Sequence, residues 1–241
     1  MNELADWLCL ARKANKLALI AHISPDGDTV GSTLALRLAF LRMGKAVDVI
    51  CDGDVSKSMM FLPGADAFIK PDQAAEDYDT AIAVDVSDKG LMGKAQPVFD
   101  KAPVKLVIDH HATNPAYGDA NYIRRGECAC CLLAYEAIQA LGVDITVEMG
   151  TCLMLGMSTD TGHFQYPYTS AAAFEAAGKL LAIGVDVSYI TRMMYRTQPM
   201  EKVNLTRIAY QKLHFELDYT VRPFVEVEQE YLEMFQKLSE S

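Results

Sequence analysis

The chain has 241 residues, of which 51% are hydrophobic and 22% are charged, so it can bury a substantial core and lacks the composition of a disordered polypeptide. Its net charge of −10, from 32 acidic and 22 basic residues, opposes binding to long duplex DNA. The N-terminal segment MNELADWLCLARKANK has no basic leader ahead of an apolar run, and no stretch is long enough to cross a membrane, so we expect a cytoplasmic protein without a membrane partner.

Four short apolar runs in the first half of the chain have the length of buried strands, and they lie at residues 17–21, 46–51, 80–84 and 104–108. Segments with helical spacing alternate with these runs; the first covers residues 29–43 and stops at Gly44, a helix C-cap signal. Such alternation is typical of a parallel sheet with crossover helices. We therefore predict an α/β fold in which a parallel sheet is flanked by helices.

Helices are also predicted further along the chain, at residues 130–141, 146–158 and 170–183. Residues 187–211 keep a helical pattern and form a predicted connector, with a helix at 201–211. The remaining residues, 212–241, contain two strand-like pieces around Asp218 and Arg222 and then a short amphipathic helix. The sequence thus predicts a main domain over residues 1–186 and a short α+β piece that is too small for an independent domain.

Side chains that suit metal ions lie where three of the four predicted strands end. They are His22, Asp26 and Asp28 after the first strand, Asp85 after the third, and Asp109, His110 and His111 at the end of the fourth. In open parallel sheets, ligands bind beyond the carboxyl ends of the strands. We therefore expect the three groups to meet at one edge of the sheet, although they are far apart in the sequence.

The acids in these groups have ordinary structural explanations when each is taken alone. Asp26 and Asp28 fit a helix N-terminus, and Asp85 fits the start of a loop. A carboxylate at the end of a buried strand nevertheless needs a partner, so Asp85 predicts a nearby cation. Asp88, further into the same loop, is interpreted as a loop residue.

Two adjacent histidines and an acid, Asp109-His110-His111, leave the fourth predicted strand, and packing alone rarely accounts for such a cluster. Neighbouring side chains of an extended segment point in opposite directions. One histidine can therefore bind metal while the other faces a substrate, with Asp109 orienting an imidazole.

A further acid, Asp160, lies in the segment GMSTDTGHF at the end of an apolar helix, where the helix dipole disfavours negative charge. This position suggests a compensating ion. Carboxylate oxygens with a few imidazoles suit manganese or magnesium. His163, in the loop that follows, is interpreted as a surface residue.

Two other groups of side chains leave alternatives open. Arg124 and Arg125 either donate forked hydrogen bonds to phosphate oxygens or form a solvated basic pair. Cys128, Cys130 and Cys131 open an apolar helix without a second paired cluster, so we interpret them as packing residues rather than as a zinc site.

The segments HxxPDxD, a strand-end Asp, DHH and GxxxDTGxF occur in this order and resemble the DHH phosphoesterase family over about residues 17–196. The resemblance implies a Rossmann-like domain with two Mn²⁺ ions, for which Mg²⁺ or Co²⁺ can substitute. It implies a bridging role for Asp85, a phosphate-facing role for His111 and an orienting role for Asp109. The metal ligands that it implies are His22, Asp26, Asp28, Asp85, His110 and Asp160.

Within the family, the segments PDGDTVGS and DTGHFQYPYTSAAAFEAAGKLLAIGVD look most like one branch. That branch hydrolyses short oligoribonucleotides to mononucleotides and adenosine 3',5'-bisphosphate to AMP, by attack of a metal-activated water on phosphorus. The resemblance implies short single-stranded RNA or small nucleotide phosphates as partners, and a homodimer is left open. The family usually adds a C-terminal substrate-binding domain with a glycine-rich GGGH segment, and we interpret residues 212–241 as its beginning.

Two other functional classes are kept as alternatives. One is a different enzyme of the same superfamily, a pyrophosphatase or a phosphodiesterase for linear or cyclic dinucleotides. The other is a regulatory module that binds metal and nucleotide without turnover. The complete set of candidate ligands argues against this second class.

Overall fold

The computed structural model of the protein describes residues 3–197 and 200–211. The strand-like pieces predicted around Asp218 and Arg222, and the amphipathic helix after them, lie outside this part of the chain. The chain divides into two compact units, Met1–Met193 and Met194–Ser241, and the first contains the sheet. The domain boundaries predicted at residues 186 and 211 stay predictions.

The sheet has six strands, which are β1 (Lys16–Ile20), β2 (Ala46–Ile50), β3 (Phe68–Ile69), β4 (Thr80–Val84), β5 (Val104–Asp109) and β6 (Ala120–Ile123). All are parallel, in the order β3-β2-β1-β4-β5-β6. The four predicted strands are confirmed to within one residue as β1, β2, β4 and β5. The other two were not predicted, because β3 is only two residues long and β6 includes the polar Asn121.

The helices of the described residues are α1 (Glu3–Lys13), α2 (Gly27–Arg42), α3 (Gln96–Lys101), α4 (Cys130–Leu141), α5 (Val147–Asp160), α6 (Ala171–Ala182), α7 (Val187–Thr191) and α8 (Met200–Gln211). The predicted helices correspond to α2, α4, α5, α6 and α8, and their ends agree to within two residues. The sequence prediction missed α1 and α3. None of the described helices is long and apolar enough to span a membrane.

Helices cover both faces of the sheet, which explains why its central strands are apolar without alternation. Ala18 and Ile20 of β1 pack with Phe99 of α3 on one face. Leu17 and Leu19, which point the other way, are also fully buried. On this second face the sheet is covered by α1, α2 and α4.

The helices α2 and α5 approach each other closely, and glycine makes this possible. A Cβ atom at Gly31 of α2 would lie 2.4 Å from the carbonyl oxygen of Cys152 in α5. A Cβ atom at Gly156 of α5 would lie 2.9 Å from Oδ1 of Asp28 in α2. These contacts show that the two helices run antiparallel. The start of α2 therefore lies beside the end of α5, which brings Asp28 and Asp160 to the same place.

Candidate metal centre

All eight candidate residues meet at the carboxyl edge of the sheet. Ile20 of β1 pairs with Ala83 of β4, and Val84 pairs with Ile108 of β5, so the segments that follow these strands leave the sheet together. Three groups of side chains place their ligand atoms within 4.8 Å of one another, and they are His22, Asp26 and Asp85; Asp28, His110 and Asp160; and Asp85, Asp109, His110 and His111. Because Asp85 and His110 each belong to two groups, the eight side chains form one continuous cluster.

Asp26 is the N-cap residue of α2. Its Oδ1 atom accepts hydrogen bonds of 3.0 Å from the backbone N–H groups of Asp28 and Thr29. The capping role considered for Asp26 is therefore present, and it leaves the second carboxylate oxygen available for a cation. The hydroxyl group of Thr29 lies 2.6 Å from Oδ2 of Asp85, so the start of α2 is also fixed to the end of β4.

Asp28 is buried at the N-terminus of another helix, α4. Its Oδ2 atom accepts a 2.5 Å hydrogen bond from the backbone N–H of Cys130, and its Oδ1 atom accepts a 2.8 Å bond from that of Cys131. The N-cap residue of α4 is Ala129, which has no side-chain acceptor, so Asp28 stabilises the free N–H groups in its place. The cysteines thus contribute backbone donors. Among the described residues, none of the three groups of candidate ligands includes a cysteine.

Asp85 has the features of a carboxylate that holds a cation. It is 2% exposed, and its backbone has a φ of 59°, in the left-handed region that non-glycine residues rarely adopt. Its Oδ1 atom is buried and accepts no hydrogen bond from the described residues. This oxygen lies 3.5 Å from Nε2 of His110 and 3.6 Å from Nδ1 of His111. A buried anionic oxygen without a donor is costly unless an ion neutralises it.

His110 presents one ring nitrogen to the acids. Its Nδ1 atom lies 2.8 Å from the carbonyl oxygen of Glu127, which can only accept, so Nδ1 carries a proton. The other nitrogen, Nε2, lies 3.5 Å from Asp160, 3.5 Å from Asp85 and 3.8 Å from Asp28. A neutral His110 therefore directs its lone pair at the place where three carboxylates meet.

His111 and Asp109 form a hydrogen-bonded pair beside these ligands. Nδ1 of His111 lies 2.7 Å from Oδ1 of Asp109, and the His111 side chain is 43% exposed. Asp109 itself is fully buried, and its Oδ2 atom accepts a 2.6 Å bond from Nδ2 of Asn114. The sequence interpretation missed Asn114, and no signal in the sequence separates it from an ordinary loop asparagine. The geometry suits the predicted orienting role of Asp109, and the role itself stays a prediction.

His22 is the one histidine of the cluster whose lone pair is already engaged. Its Nδ1 atom accepts a 3.2 Å hydrogen bond from the backbone N–H of Ser24. A neutral imidazole has only one lone pair, so a cation bound at His22 would replace this contact.

Comparison with models of protein families matches residues 16–157 to the DHH family, N-terminal domain. The chain belongs to the DHH family. The match covers β1 to β6 and runs into α5, so the helices and strands that carry all the candidate ligands except Asp160 lie within it.

Several relatives of this DHH protein are named for their enzymatic activities. The bifunctional oligoribonuclease and PAP phosphatase NrnA of Thermus thermophilus is 30% identical over 180 residues, which are 74% of this chain and 53% of the relative. A protein of the same name from Bacillus subtilis is 23% identical over 201 residues, which are 82% of this chain and 62% of the relative. The chain spans about half the length of the two NrnA relatives from Thermus thermophilus and Streptococcus mutans, and 37% of a third relative from Methanocaldococcus jannaschii.

A solved structure has the same fold as this DHH protein. It is an exopolyphosphatase-related protein from Bacteroides fragilis, with a TM-score of 0.84 and 23% sequence identity, covering 90% of this chain and 67% of that one. At this identity the likeness concerns the fold alone. It confirms the predicted α/β class, in which helices flank a parallel sheet.

The two arginines that were considered as hydrogen-bond donors to phosphate have different partners in the DHH domain. The guanidinium group of Arg124 forms a forked ion pair with Glu136, with Nη1 2.9 Å from Oε1, so its donors are already engaged. Arg125 is exposed, and its Nη2 atom donates a 2.9 Å bond to the carbonyl oxygen of Asn114. His163, interpreted as a surface residue, is instead half-buried, and its Nδ1 atom lies 2.8 Å from a serine hydroxyl of α5.

The acids of the DHH site are unfavourable as neighbouring anions. Burial, followed by the charges of Asp85 and Asp160, raises the pKa of Asp28 well above its ordinary value. Burial, followed by the charges of Asp85 and Asp26, raises the pKa of Asp160 to about 7. Burial alone would lower the pKa of His110, but contact with Asp85 and the charge of Asp28 outweigh it and raise the pKa to about 10. This set of carboxylates and imidazoles therefore fits a divalent cation, which would replace the proton on His110.

We predict that Mn²⁺ stabilises the protein more at pH 8 than at pH 5. The raised pKa of Asp160 means that the metal-free protein loses stability as pH rises from about 4 to about 7, and the raised pKa of His110 adds a loss between about 6.5 and about 10. The pKa of Asp85 is lowered from its ordinary value of 3.8, so this group changes the stability only below about pH 4, outside the range from pH 5 to pH 8. With the ion about 100-fold above its Kd, the melting temperature should rise by roughly 5–10 °C at pH 8 and by less at pH 5.

Thermal unfolding in Mn²⁺ and in a chelator, at both pH values, measures this difference. The variant Asp28→Asn provides a comparison, because it removes one titratable carboxyl group of the site and should reduce both the pH dependence and the response to Mn²⁺. An equal rise in melting temperature at the two pH values would contradict the prediction.

Proposed function

We propose that this chain is the catalytic domain of a manganese-dependent phosphoesterase that hydrolyses short oligoribonucleotides to mononucleotides, adenosine 3',5'-bisphosphate to AMP, or both. The observation that carries the proposal concerns Asp85, whose buried Oδ1 atom has no hydrogen-bond partner among the described residues. Asp85 also belongs to two adjoining groups of candidate ligands. A carboxylate in this position is suited to bridge two cations.

The donor groups suggest how two ions would be held. His22, Asp26 and Asp85 would hold one, while Asp28, His110 and Asp160 would hold the other together with Asp85. Mn²⁺ suits this mixture of carboxylates and imidazoles, and Mg²⁺ or Co²⁺ would be substitutes. When bound, such ions lower the pKa of a water molecule and neutralise charge that develops on a phosphoryl group.

The protein's own contribution beside the ions is His111. The hydrogen bond to Asp109 raises the pKa of His111, although burial acts in the opposite direction, so the ring keeps its charge to higher pH than an ordinary histidine. With Nδ1 engaged by Asp109, the second nitrogen remains as a donor. A cationic donor that is fixed in place can stabilise negative charge on the phosphate in the transition state.

The choice of substrate class is supported by the names of the relatives, which are called oligoribonucleases and PAP phosphatases. A net charge of −10 opposes long polyanions and is compatible with a small substrate bound at a metal centre. A short single-stranded RNA or a nucleotide bisphosphate agrees with the names of the relatives and is small enough to be compatible with this charge. The cytoplasmic location and the homodimer considered from the sequence stay predictions.

An enzyme for inorganic phosphate chains is an alternative that has the same fold. The protein from Bacteroides fragilis with the same fold is described as exopolyphosphatase-related. A pyrophosphatase or a phosphodiesterase for linear or cyclic dinucleotides would use the same residues and differ in what surrounds them.

A substrate panel with the 241-residue chain tests the proposal. It contains a ribonucleotide trimer, adenosine 3',5'-bisphosphate, pyrophosphate and a cyclic dinucleotide, each incubated with Mn²⁺ and with a chelator. We expect metal-dependent release of mononucleotide from the trimer or of phosphate from the bisphosphate. Release from pyrophosphate alone would identify a pyrophosphatase, and Mn²⁺ binding without any release would identify a binding module.

A further inference from the structure

Four aromatic side chains follow Asp160, on the loop between α5 and α6 and in the first turn of α6. The rings of Tyr166 and Tyr168 lie 5.4 Å apart, and those of Phe164 and Phe174 lie 5.3 Å apart. Tyr166 is 47% exposed and Tyr168 is 55% exposed. We call Tyr166 and Tyr168 the tyrosine pair. Neighbouring aromatic rings that meet solvent in this way are typical of binding surfaces rather than of packing.

One member of the tyrosine pair contacts the backbone of a candidate metal ligand. The hydroxyl group of Tyr168 donates a 3.1 Å hydrogen bond to the backbone carbonyl oxygen of Asp160. The side chain of the same Asp160 places Oδ2 3.5 Å from Nε2 of His110. Asp160 therefore links the tyrosine pair, through its backbone, to the cluster of candidate ligands, through its side chain.

The ring of Tyr166 is held against the backbone of the loop. A Cβ atom at Gly162 would lie 2.5 Å from Cζ of Tyr166, so the ring rests where only glycine leaves room. Gly162 also has a φ of 55°, which favours glycine for a second reason. A ring that is fixed before a ligand arrives loses little conformational entropy when the ligand stacks on it.

The chemistry of this loop points to a base and not to a phosphate. Residues 161–174 contain no lysine, arginine, aspartate or glutamate, so the loop offers aromatic faces without charge. Aromatic side chains next to a phosphate site are suited to stack on nucleobases, whereas pyrophosphate and polyphosphate have no group that could use them.

We propose that the tyrosine pair stacks on a nucleobase of the substrate whose phosphate lies at the metal centre. This inference rests on the proposed function and makes its substrate class specific, because it selects nucleotides over inorganic phosphate chains. Stacking adds affinity that does not depend on the phosphate, so it can be measured by binding without turnover.

The test compares the binding of AMP with that of ribose 5-phosphate to the 241-residue chain in Mn²⁺, by calorimetry. The two ligands share sugar and phosphate, so the ratio of their Kd values isolates the contribution of the base. We expect AMP to bind about tenfold more tightly than ribose 5-phosphate. The variant Tyr166→Leu/Tyr168→Leu should lose this preference and keep its affinity for ribose 5-phosphate.

Three further variants separate stacking from other effects. Tyr166→Phe keeps the ring and should keep the preference for AMP. Tyr168→Phe removes only the hydroxyl group that contacts Asp160, and it should likewise keep the preference. Met60→Ala removes another exposed side chain and should change neither affinity. If the double leucine variant does not fold, Tyr166→Leu alone should reduce the preference.

Two results would overturn the inference: equal affinity of the unchanged chain for AMP and ribose 5-phosphate, or a full preference for AMP in the folded leucine variant. Hydrolysis measured on the same samples distinguishes this failure from that of the proposed function. Hydrolysis of the trimer or the bisphosphate without a base preference contradicts the tyrosine pair alone. A base preference without any hydrolysis supports the tyrosine pair and contradicts the enzymatic function alone.

Discussion

Replacing Asp85 with asparagine is expected to lower metal-dependent hydrolysis by about 10³-fold or more, because the proposed metal ions would supply several kcal/mol of transition-state stabilisation. Asp85 belongs to two groups of candidate ligands, and its buried Oδ1 atom receives no hydrogen bond within the described part of the chain. Asparagine has the same size and tolerates the φ of 59° at this position. The fold should therefore persist while the shared negative charge is lost.

Metal content and the initial rate of product release, measured on the same sample, test the role of Asp85. Asp88→Asn is the matched control, since it changes an acid in the same loop. Asp88 accepts a 2.8 Å hydrogen bond from the backbone N–H of Gly90, which asparagine can also accept. The control should keep its metal and its rate. A variant Asp85→Asn that binds two ions and retains the full rate would contradict the assignment.

Replacing His111 with alanine is expected to lower the rate by about 10²- to 10³-fold, the usual effect of removing one donor that stabilises transition-state charge. Metal binding should remain, because the proposed ligands are other side chains. Asp109→Asn should have a smaller effect, of about 10- to 100-fold, since it acts by orienting His111. The double variant should be no slower than His111→Ala alone if the two residues act as one unit.

The pH dependence of the rate distinguishes orientation by Asp109 from a purely structural effect. The hydrogen bond to Asp109 is the largest cause of the raised pKa of His111. Replacing the Asp109 carboxylate with a neutral amide should lower the pKa of His111. The alkaline limb of the rate profile should therefore move to lower pH in Asp109→Asn. A near-normal rate in metal-loaded His111→Ala would show that this histidine does not contact the phosphate in the transition state.

The central strands of the fold could be predicted because both of their faces are buried. β4, for example, is buried along its whole length, and every residue after Thr80 is apolar. The edge strand β6 could not be predicted in the same way. Its Asn121 forms hydrogen bonds with the backbone of Gly118 in the preceding turn, so its sequence pattern is that of a loop. Its pairing with β5 appears only in the folded chain.

The residues of the candidate site could be predicted because their chemical types and their places after strands are features of the sequence. The hydrogen-bonding partners that hold these residues in place could not be predicted. Asp28 accepts hydrogen bonds from the backbone N–H groups of Cys130 and Cys131, which are 102 and 103 positions away in the chain. Backbone donors have no sequence signal. The buried bond from Asn114 to Asp109 depends on the path of the loop after β5.

The sequence by itself determined the α/β class, the family and the set of side chains that can bind a cation, because apolar patterning and ordered motifs are local properties. Only the tertiary structure decided which atoms of that set lack a hydrogen-bond partner from the protein. The Oδ1 atom of Asp85 lacks a donor, and Asp28 lies at the start of α4, because β4, α2 and α4 meet at one edge of the sheet. Contacts between distant segments, and the loss of water that follows from them, set the electrostatics of this site.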